Sequence, residues 1–401
     1  MKTVQMRNGM GRSVTAFAVG MLAMVAAAAS DYDVAAIVWP AYQPEPRWAE
    51  LGIFGDKKGE WQNVYECKRC AKPLWGYENE ADPNVVARKI DAATAAGVNV
   101  FIYDWYWYGG RPFLEDALDK GFLKAPNNGR MKFYIMYANH DVNQIWNNRI
   151  PSKDKEELLW PAKITDADWQ EIVRRLIAYF KLPNYYMIGG KPVFWLYRSD
   201  DFIAWEGVEK ARARLGYLRD EVKKAGFPGL HLQISASAAP QHKVERLPEH
   251  IRDMGADSVT LYNWAYRTWD LIHSPDNPEM TYRAWGELAL KNMAEVEVWA
   301  KKGGVCLVPN ITLGFNNCSR YPEPESLVRR GVADRTPQDF ETFARRIRKW
   351  VDENAASGQP KLVVVNSWNE WTEDSYLEPD DRFGYEYLNA LWRVFGKGAG
   401  K

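Results

Sequence analysis

Leu362-Val363-Val364-Val365-Asn366-Ser367-Trp368-Asn369-Glu370-Trp371-Thr372-Glu373 is an apolar, β-branched run that ends at once in two acids and two indoles, with Tyr376-Leu377-Glu378-Pro379-Asp380 close behind. A buried strand that releases polar and aromatic side chains at its carboxyl end fits a (β/α) barrel, whose mouth gathers the ends of all its strands. In extended backbone Glu370 and Glu373 point to opposite faces, whereas at helical pitch residues three apart share a side, about 5–6 Å from each other. Two carboxyls converging on one pocket are the minimal set for cleaving a glycosidic bond, one protonating the leaving oxygen and the other acting as base or nucleophile. A solvated Glu-x-x-Glu pair at a helix start is the plainer reading. The flanking Trp368 and Trp371 argue against it, because a charged surface turn has little use for two indoles.

The pattern recurs upstream. Val34–Trp39 reads as a first strand, followed by Val98–Tyr103, Lys132–Tyr137, Pro192–Tyr197, Leu230–Ser235, Ser258–Tyr262, Val305–Asn310 and Leu362–Asn366. Between them lie helical periodicities at Pro83–Ala96, closed by Gly97, and at Asp168–Phe180, Val208–Ala225, Tyr282–Lys301 and Pro337–Asn354. Eight short strands alternating with helices predict parallel pairing and closure into a single (β/α)8 TIM barrel, class α/β, spanning residues 31–401 with long βα loops. A doubly wound open sheet is the alternative; no Gly-x-Gly-x-x-Gly follows the first strand, where such a sheet carries its phosphate turn. The longest loop, Glu45 to Pro83, is rich in Gly, Pro and charge, as binding loops are.

If the barrel forms, Tyr42, Asp104, Asn139, His140, Tyr197, Tyr262, Asn310 and Glu370 converge although they are far apart in the chain. Asp104 is placed to bind vicinal sugar hydroxyls or to pair with Arg111 or Arg198. Tyr42 and Tyr262 are candidate donors to a sugar 2-hydroxyl or ring oxygen. Asn139 and His140 either line the pocket or are satisfied strand-end hydrogen bonders. Trp105, Tyr106, Trp107, Trp368 and Trp371 are sugar platforms or core filling, and Asn263, Trp264 and Asn369 join the set by position. Glu60 and Trp61 sit in the long loop and are assigned to the leaving-group side. Glu378 is expected to fix the turn before the last helix.

Nineteen Trp, twenty-one Tyr and fifteen Phe make the chain 14% aromatic, suited to stacking on the apolar C–H faces of sugars. Formal net charge is zero and no basic run interleaves with aromatics, so nucleic acid is not an expected partner. Lys2, Arg7 and Arg12 precede an apolar run from Ala16 to Ala29, the order of a secretory signal over residues 1–30 that is cleaved near Ala29 or Ser30. Its removal takes three bases and no acid, leaving net charge −3. The expected product is an exported monomer acting on oligo- or polysaccharide, with no membrane span and no cofactor or metal required by the chemistry. Cys67, Cys70, Cys306 and Cys318 are compatible with disulfides or with a zinc site built from Cys67-x-x-Cys70 and the later pair.

Asn366 to Glu373, with Leu377-Glu378-Pro379-Asp380 behind it, resembles the Asn-Glu-Trp-x-Glu signature of glycoside hydrolase family 99 and of the related WbsX-like proteins. The Gly59-Glu60-Trp61 loop with Ala71-Lys72-Pro73-Leu74, the Ala138-Asn139 pair, and Gly190-Lys191-Pro192-Val193 leading to Tyr197-Arg198 resemble the WbsX-like group; Asp104-Trp105 resembles the Asp-Trp of family 99. The resemblance implies a (β/α)8 barrel that cleaves α-linked sugars with retention. Glu370 then corresponds to the base that takes the proton of the substrate's own 2-hydroxyl, whose oxygen attacks the anomeric carbon to give a 1,2-anhydro sugar. Glu373 corresponds to the acid that protonates the leaving oxygen and then activates the water that opens the epoxide. Such chemistry needs a 2-hydroxyl trans to the leaving group, as in α-mannosides. Asp374 stands where the WbsX-like pattern has Gly, which adds a third carboxylate beside the pair. WbsX-like proteins also carry the name glycosyltransferase, and a transferase, or a carbohydrate-binding barrel without catalysis, are the alternatives. A sugar-nucleotide transferase needs a diphosphate site and a nucleotide supply that an exported chain lacks.

Overall fold

The computed structural model describes residues 31–54, 59–236, 243–273, 280–327, 331–332, 334–355 and 359–397. The expected signal segment lies outside them. Eight parallel strands form the central sheet: β1 Asp33–Val38, β2 Val100–Tyr108, β3 Lys132–Tyr137, β4 Lys191–Leu196, β5 His231–Ser235, β6 Ser258–Thr260, β7 in two pieces, Cys306–Leu307 and Asn310–Thr312, and β8 Leu362–Asn366. Neighbours pair in parallel, with Ala35 opposite both Val100 and Val364, so β1 lies between β2 and β8.

The bonded strand order starts at one half of β7 and ends at the other. Cys306–Leu307 pairs with β6 and Asn310–Thr312 pairs with β8, so β7 is the seam that closes the barrel. Pro309 has no N–H to give a ladder, and the break falls there. The Val308 N–H reaches back to Val259 O (2.7 Å), while the Pro309 carbonyl accepts from Val364 N (2.9 Å), so one strand serves two neighbours. The sequence shows this strand as continuous; its division is a tertiary effect.

Seven main helices surround the sheet: α1 Pro83–Ala96, α2 Asp166–Phe180, α3 Val208–Lys224, α4 Leu247–Met254, α5 Tyr282–Lys302, α6 Pro337–Asn354 and α7 Glu386–Phe395. Their starts are written locally. Asp82 caps α1 through Asn84 N with Pro83 in the first turn, and Gly97, at φ 94°, ends it. Thr165 and Asp168 form a reciprocal capping box on α2. Between β2 and β3 a one-turn π-helix, Ala117–Gly121, takes the place of an α-helix. β2 outruns its expected end by five residues because Arg111–Phe113 folds back on it as an antiparallel hairpin, Tyr106 opposite Phe113. Within the long loop after β1, Trp61–Glu66 forms a short helix. Among the described residues no helix is long and apolar enough to cross a membrane.

Candidate active site

At the end of β8 the chain turns sharply. Asn369–Glu370 pairs antiparallel with Ser375–Tyr376, and Trp371–Glu373 between them makes one 3-10 turn. At three residues per turn, positions i and i+3 eclipse, so Glu370 and Glu373 face the same side. The turn is held from beneath. Asn369 accepts from Trp39 N (2.8 Å) and donates to Trp39 O (2.9 Å) and to Glu80 Oε1 (2.8 Å). Trp371 lies flat on Tyr376, ring centroids 3.8 Å apart, and donates to Glu378 Oε2 (2.8 Å). Lys89 is buried between Glu378 (2.6 Å) and Glu80, completing a charged support under the site.

Arg320 is the centre of the cluster. It donates to Glu60 Oε1 (2.9 Å), to Glu373 Oε1 (2.7 Å) and to Thr372 Oγ1 (3.0 Å), and its Nη2 lies 3.8 Å from Glu370 Oε1. From the far side, Tyr262 Oη donates to Glu370 Oε2 (2.8 Å) and lies 3.4 Å from Asp104 Oδ2. Asp104 Oδ1 is buried without a hydrogen-bond partner. Burial pushes the Glu370 carboxyl well above the usual carboxylate range, the neighbouring Glu373 adds to the effect, and Arg320 opposes it. Glu373 is raised too, by burial, but the Arg320 guanidinium pulls against that rise, and Glu373 accepts a hydrogen bond from Glu370. The two carboxyls therefore titrate together rather than singly, with Arg320 bearing more directly on Glu373 (2.7 Å) than on Glu370 (3.8 Å). Burial pushes Asp104 well above the usual carboxylate range, with the Tyr262 hydroxyl opposing the rise and the Glu373 charge adding to it. Arg320 stays charged because three carboxyls outweigh its own desolvation.

The expected residues divide into two groups. Glu370, Glu373, Asp104, Tyr106, His140, Tyr197 and Tyr262 come together. Tyr106 packs edge-on to His140 (5.7 Å between centroids), and Tyr197 packs on both His140 (6.1 Å) and Tyr262 (5.3 Å). Burial lowers the His140 pKa, and its Nδ1 is 2.9 Å from Asp141 O.

Of the others, Glu60 meets the cluster through Arg320 and the rest support it from behind. Tyr42 is fully buried, its Oη accepting from Thr372 N (3.3 Å) and its ring against Trp61. Glu60 faces Arg320 and Trp39 Nε1 (2.5 Å); Gly59, at φ 60°, brings it in where a Cβ would strike Ala41 O. Trp61 is buried with Nε1 on Glu78 O (2.8 Å). Trp105 alternates with Asp104 to the opposite face of β2, where it stacks on Trp107. Asn139 is spent on the Arg198 backbone, donating to O (2.7 Å) and accepting from N (2.8 Å). Asn263 closes a local turn onto Ala265 N, and Asn310 holds Tyr262 O (2.9 Å). Trp264 packs on Tyr282 and Trp285, and Trp368 on Phe101, both in the core. Trp371 and Asn369 anchor the turn. Asp374 does not join the pair: at φ 53°, a left-handed position that Gly occupies without cost, it turns away to Arg335 (2.7 Å).

Arg320 has no counterpart among the expected residues. It lies eight residues beyond β7, at the same end of the barrel as the other strand-end groups, and that placement was the available signal. Glu80 and Lys89 lay on a loop and a helix with no mark of their role. Cys67 and Cys70 form a disulfide, and Cys318 lies beside it. Cys306 is exposed at the amino end of β7, so no site joins all four cysteines.

The barrel is shared with solved structures. A glycoside hydrolase-like protein superposes with a TM-score of 0.57 at 15% identity, over 95% of this chain and 98% of that one. The GH99 endo-alpha-mannosidase from Bacteroides thetaiotaomicron superposes with a TM-score of 0.54 at 16% identity, over 93% of this chain and 100% of that one. At such identities the likeness is one of fold. In sequence, the uncharacterized protein WxcX of Xanthomonas campestris pv. campestris is 25% identical over 365 residues, 88% of this chain and 48% of WxcX. The chain thus spans about half the length of the curated relatives it matches. A family model described as glycosyltransferase WbsX matches residues 34–391, nearly the whole barrel, and the chain belongs to that family.

Proposed function

We propose that the protein is an exported glycoside hydrolase that cleaves α-linked sugars, α-mannosides among them, with retention and through the substrate's own 2-hydroxyl. The observation that carries this reading is the Glu370–Glu373 pair: a buried carboxyl hydrogen-bonded to a partly exposed one, beside a fixed guanidinium at the carboxyl end of the barrel. Glu370 takes the 2-hydroxyl proton, the freed oxygen attacks the anomeric carbon, and Glu373 protonates the departing oxygen. The reaction needs Glu370 as the carboxylate and Glu373 as the acid, and the hydrogen bond between them is the route by which a proton passes from one to the other. Asp104 Oδ1 accepts from a sugar hydroxyl, and Tyr197 and Tyr262 supply the ring faces and hydroxyls of the subsite. Tyr262 holds the Glu370 carboxyl in place to take that proton.

The family's description supports a second reading, a transferase acting on a sugar nucleotide. One experiment separates the two. The chain is incubated with α-mannans and with fucose- and rhamnose-containing polysaccharides, with and without nucleotide sugars, and the first-formed anomer is read by NMR. Release of the α-anomer without nucleotide, lost by about 10²–10⁴-fold in both Glu370→Gln and Glu373→Gln while sugar binding persists, is the expected result. Unchanged turnover in both variants, or transfer that needs a nucleotide sugar, discards the hydrolase.

A further inference from the structure

Cys67 ends the helix Trp61–Glu66, Cys70 follows three residues later, and Cys318 opens the 3-10 turn Cys318–Arg320 on the other side of the barrel mouth. Although the chain separates them by 251 residues, Cys67 Sγ and Cys318 Sγ lie 3.9 Å apart. All three sulfurs fall within 4.8 Å of one another, the group of that kind among the described residues. Cys67 and Cys318 are buried, whereas Cys70 and Cys318 border a cleft of about 460 Å³ that Asn316, Asp374, Arg335 and Phe383 also line. Lys72 Nζ donates to the carbonyls of Val64 (3.1 Å) and Cys67 (3.1 Å), which fixes the backbone that carries the Cys67 sulfur.

We infer that the reduced form of this triad binds one thiophilic divalent cation of the zinc class, with three thiolates as ligands and a fourth position open to the cleft. Tetrahedral thiolate sites with bonds of about 2.3 Å have sulfur–sulfur edges of about 3.8 Å, the separation already present between Cys67 and Cys318. The Cys67–Cys70 disulfide is the oxidised alternative to the metal. Two low-molecular-weight thiols supply two electrons and two protons and become their own disulfide, or a phosphine supplies the electrons and becomes its oxide with water giving the oxygen and the protons. The sulfur–sulfur bond opens to two thiols, and the cation then displaces the three thiol protons. The bound ion would tie the loop that carries Glu60 to the turn that carries Arg320, the two residues that meet at 2.9 Å. This site is independent of what the carboxyl pair does.

The test uses the full chain, reduced with a water-soluble phosphine, loaded with zinc and desalted. One equivalent of zinc is expected, with Cys67, Cys70 and Cys318 protected from alkylation and the exposed Cys306 labelled. Cobalt in place of zinc should give thiolate-to-metal charge-transfer absorption. Cys318→Ser should weaken zinc binding by at least about tenfold, since even removing a group behind a ligand costs 10–100-fold, whereas Cys306→Ser should leave it unchanged. Labelling of all four cysteines in the zinc-treated wild-type chain, or undiminished zinc binding in Cys318→Ser, overturns the proposal. The alkylation pattern of the unmutated chain decides the matter even if Cys318→Ser fails to fold.

Discussion

At Glu370 the protein keeps an ionisable group almost wholly buried, and Tyr262 supplies a hydrogen bond to it. Hydrogen bonds to charged groups are worth about 1.5–3 kcal/mol, so Tyr262→Phe should lower kcat/KM by about 10–100-fold with little change in Tm. The pair also makes stability depend on pH in a definite direction. A carboxyl whose pKa is raised in the folded state binds more protons there than in the unfolded chain. The contribution of this group to stability is therefore fully present below the ordinary carboxylate pKa of about 4.3 and is lost as pH rises through the folded value. Glu370→Gln cannot ionise, so its urea midpoint should exceed that of the wild type at pH 8 and its pH slope should be shallower. An equal slope in the two chains would show that the pair is not the source. Activity should follow the singly protonated pair, with an alkaline limb above the normal carboxylate range.

The element that makes the site is the turn after β8, and its geometry is held by contacts with β1 and α1. Asn369 makes three buried hydrogen bonds across to Trp39 and Glu80, each worth about 1 kcal/mol net. Asn369→Ala should cost roughly 2–3 kcal/mol in urea unfolding and lower activity further than that loss predicts, because Glu370 follows it directly. The strands themselves were legible in the sequence, since each is a short apolar run with polar residues at its end. The direction of each strand-end residue was less so. Asp104 and Trp105 are neighbours, yet the pleat sends one into the mouth and the other against Trp107. Trp264 and Trp368, in the turns just after β6 and β8, pack inward as well, and no local pattern distinguishes an indole that packs from one that stacks on sugar.

At the scale of the whole molecule, the mouth rests on a buried ionic layer. Lys89 of α1 lies between Glu80 and Glu378, with both carboxyls inside the protein, and burial, which alone would lower its pKa, is outweighed by them. Removing one member of such a group leaves the rest uncompensated. Lys89→Met should therefore destabilise the chain by about 3–5 kcal/mol, and the combined Lys89→Met, Glu80→Gln, Glu378→Gln chain should recover part of that loss. Recovery would appear as a partial return of the urea midpoint. A triple variant no better than Lys89→Met would mean that packing, not charge, holds this layer.

The sequence by itself determined the alternation of eight apolar runs with amphipathic helices, the helix caps, and a pair of acids three residues apart at the end of the last strand. These are local signals, carried by periodicity and by residues adjacent in the chain. Only the tertiary structure decided that Arg320 would sit between Glu60 and Glu373, that β7 would divide at Pro309 to close the barrel, and that Cys318 would meet Cys67. Each of those depends on groups 50 to more than 250 residues apart, brought together when the sheet closes, and nothing in a residue's own neighbourhood encodes which distant partner that closure will deliver.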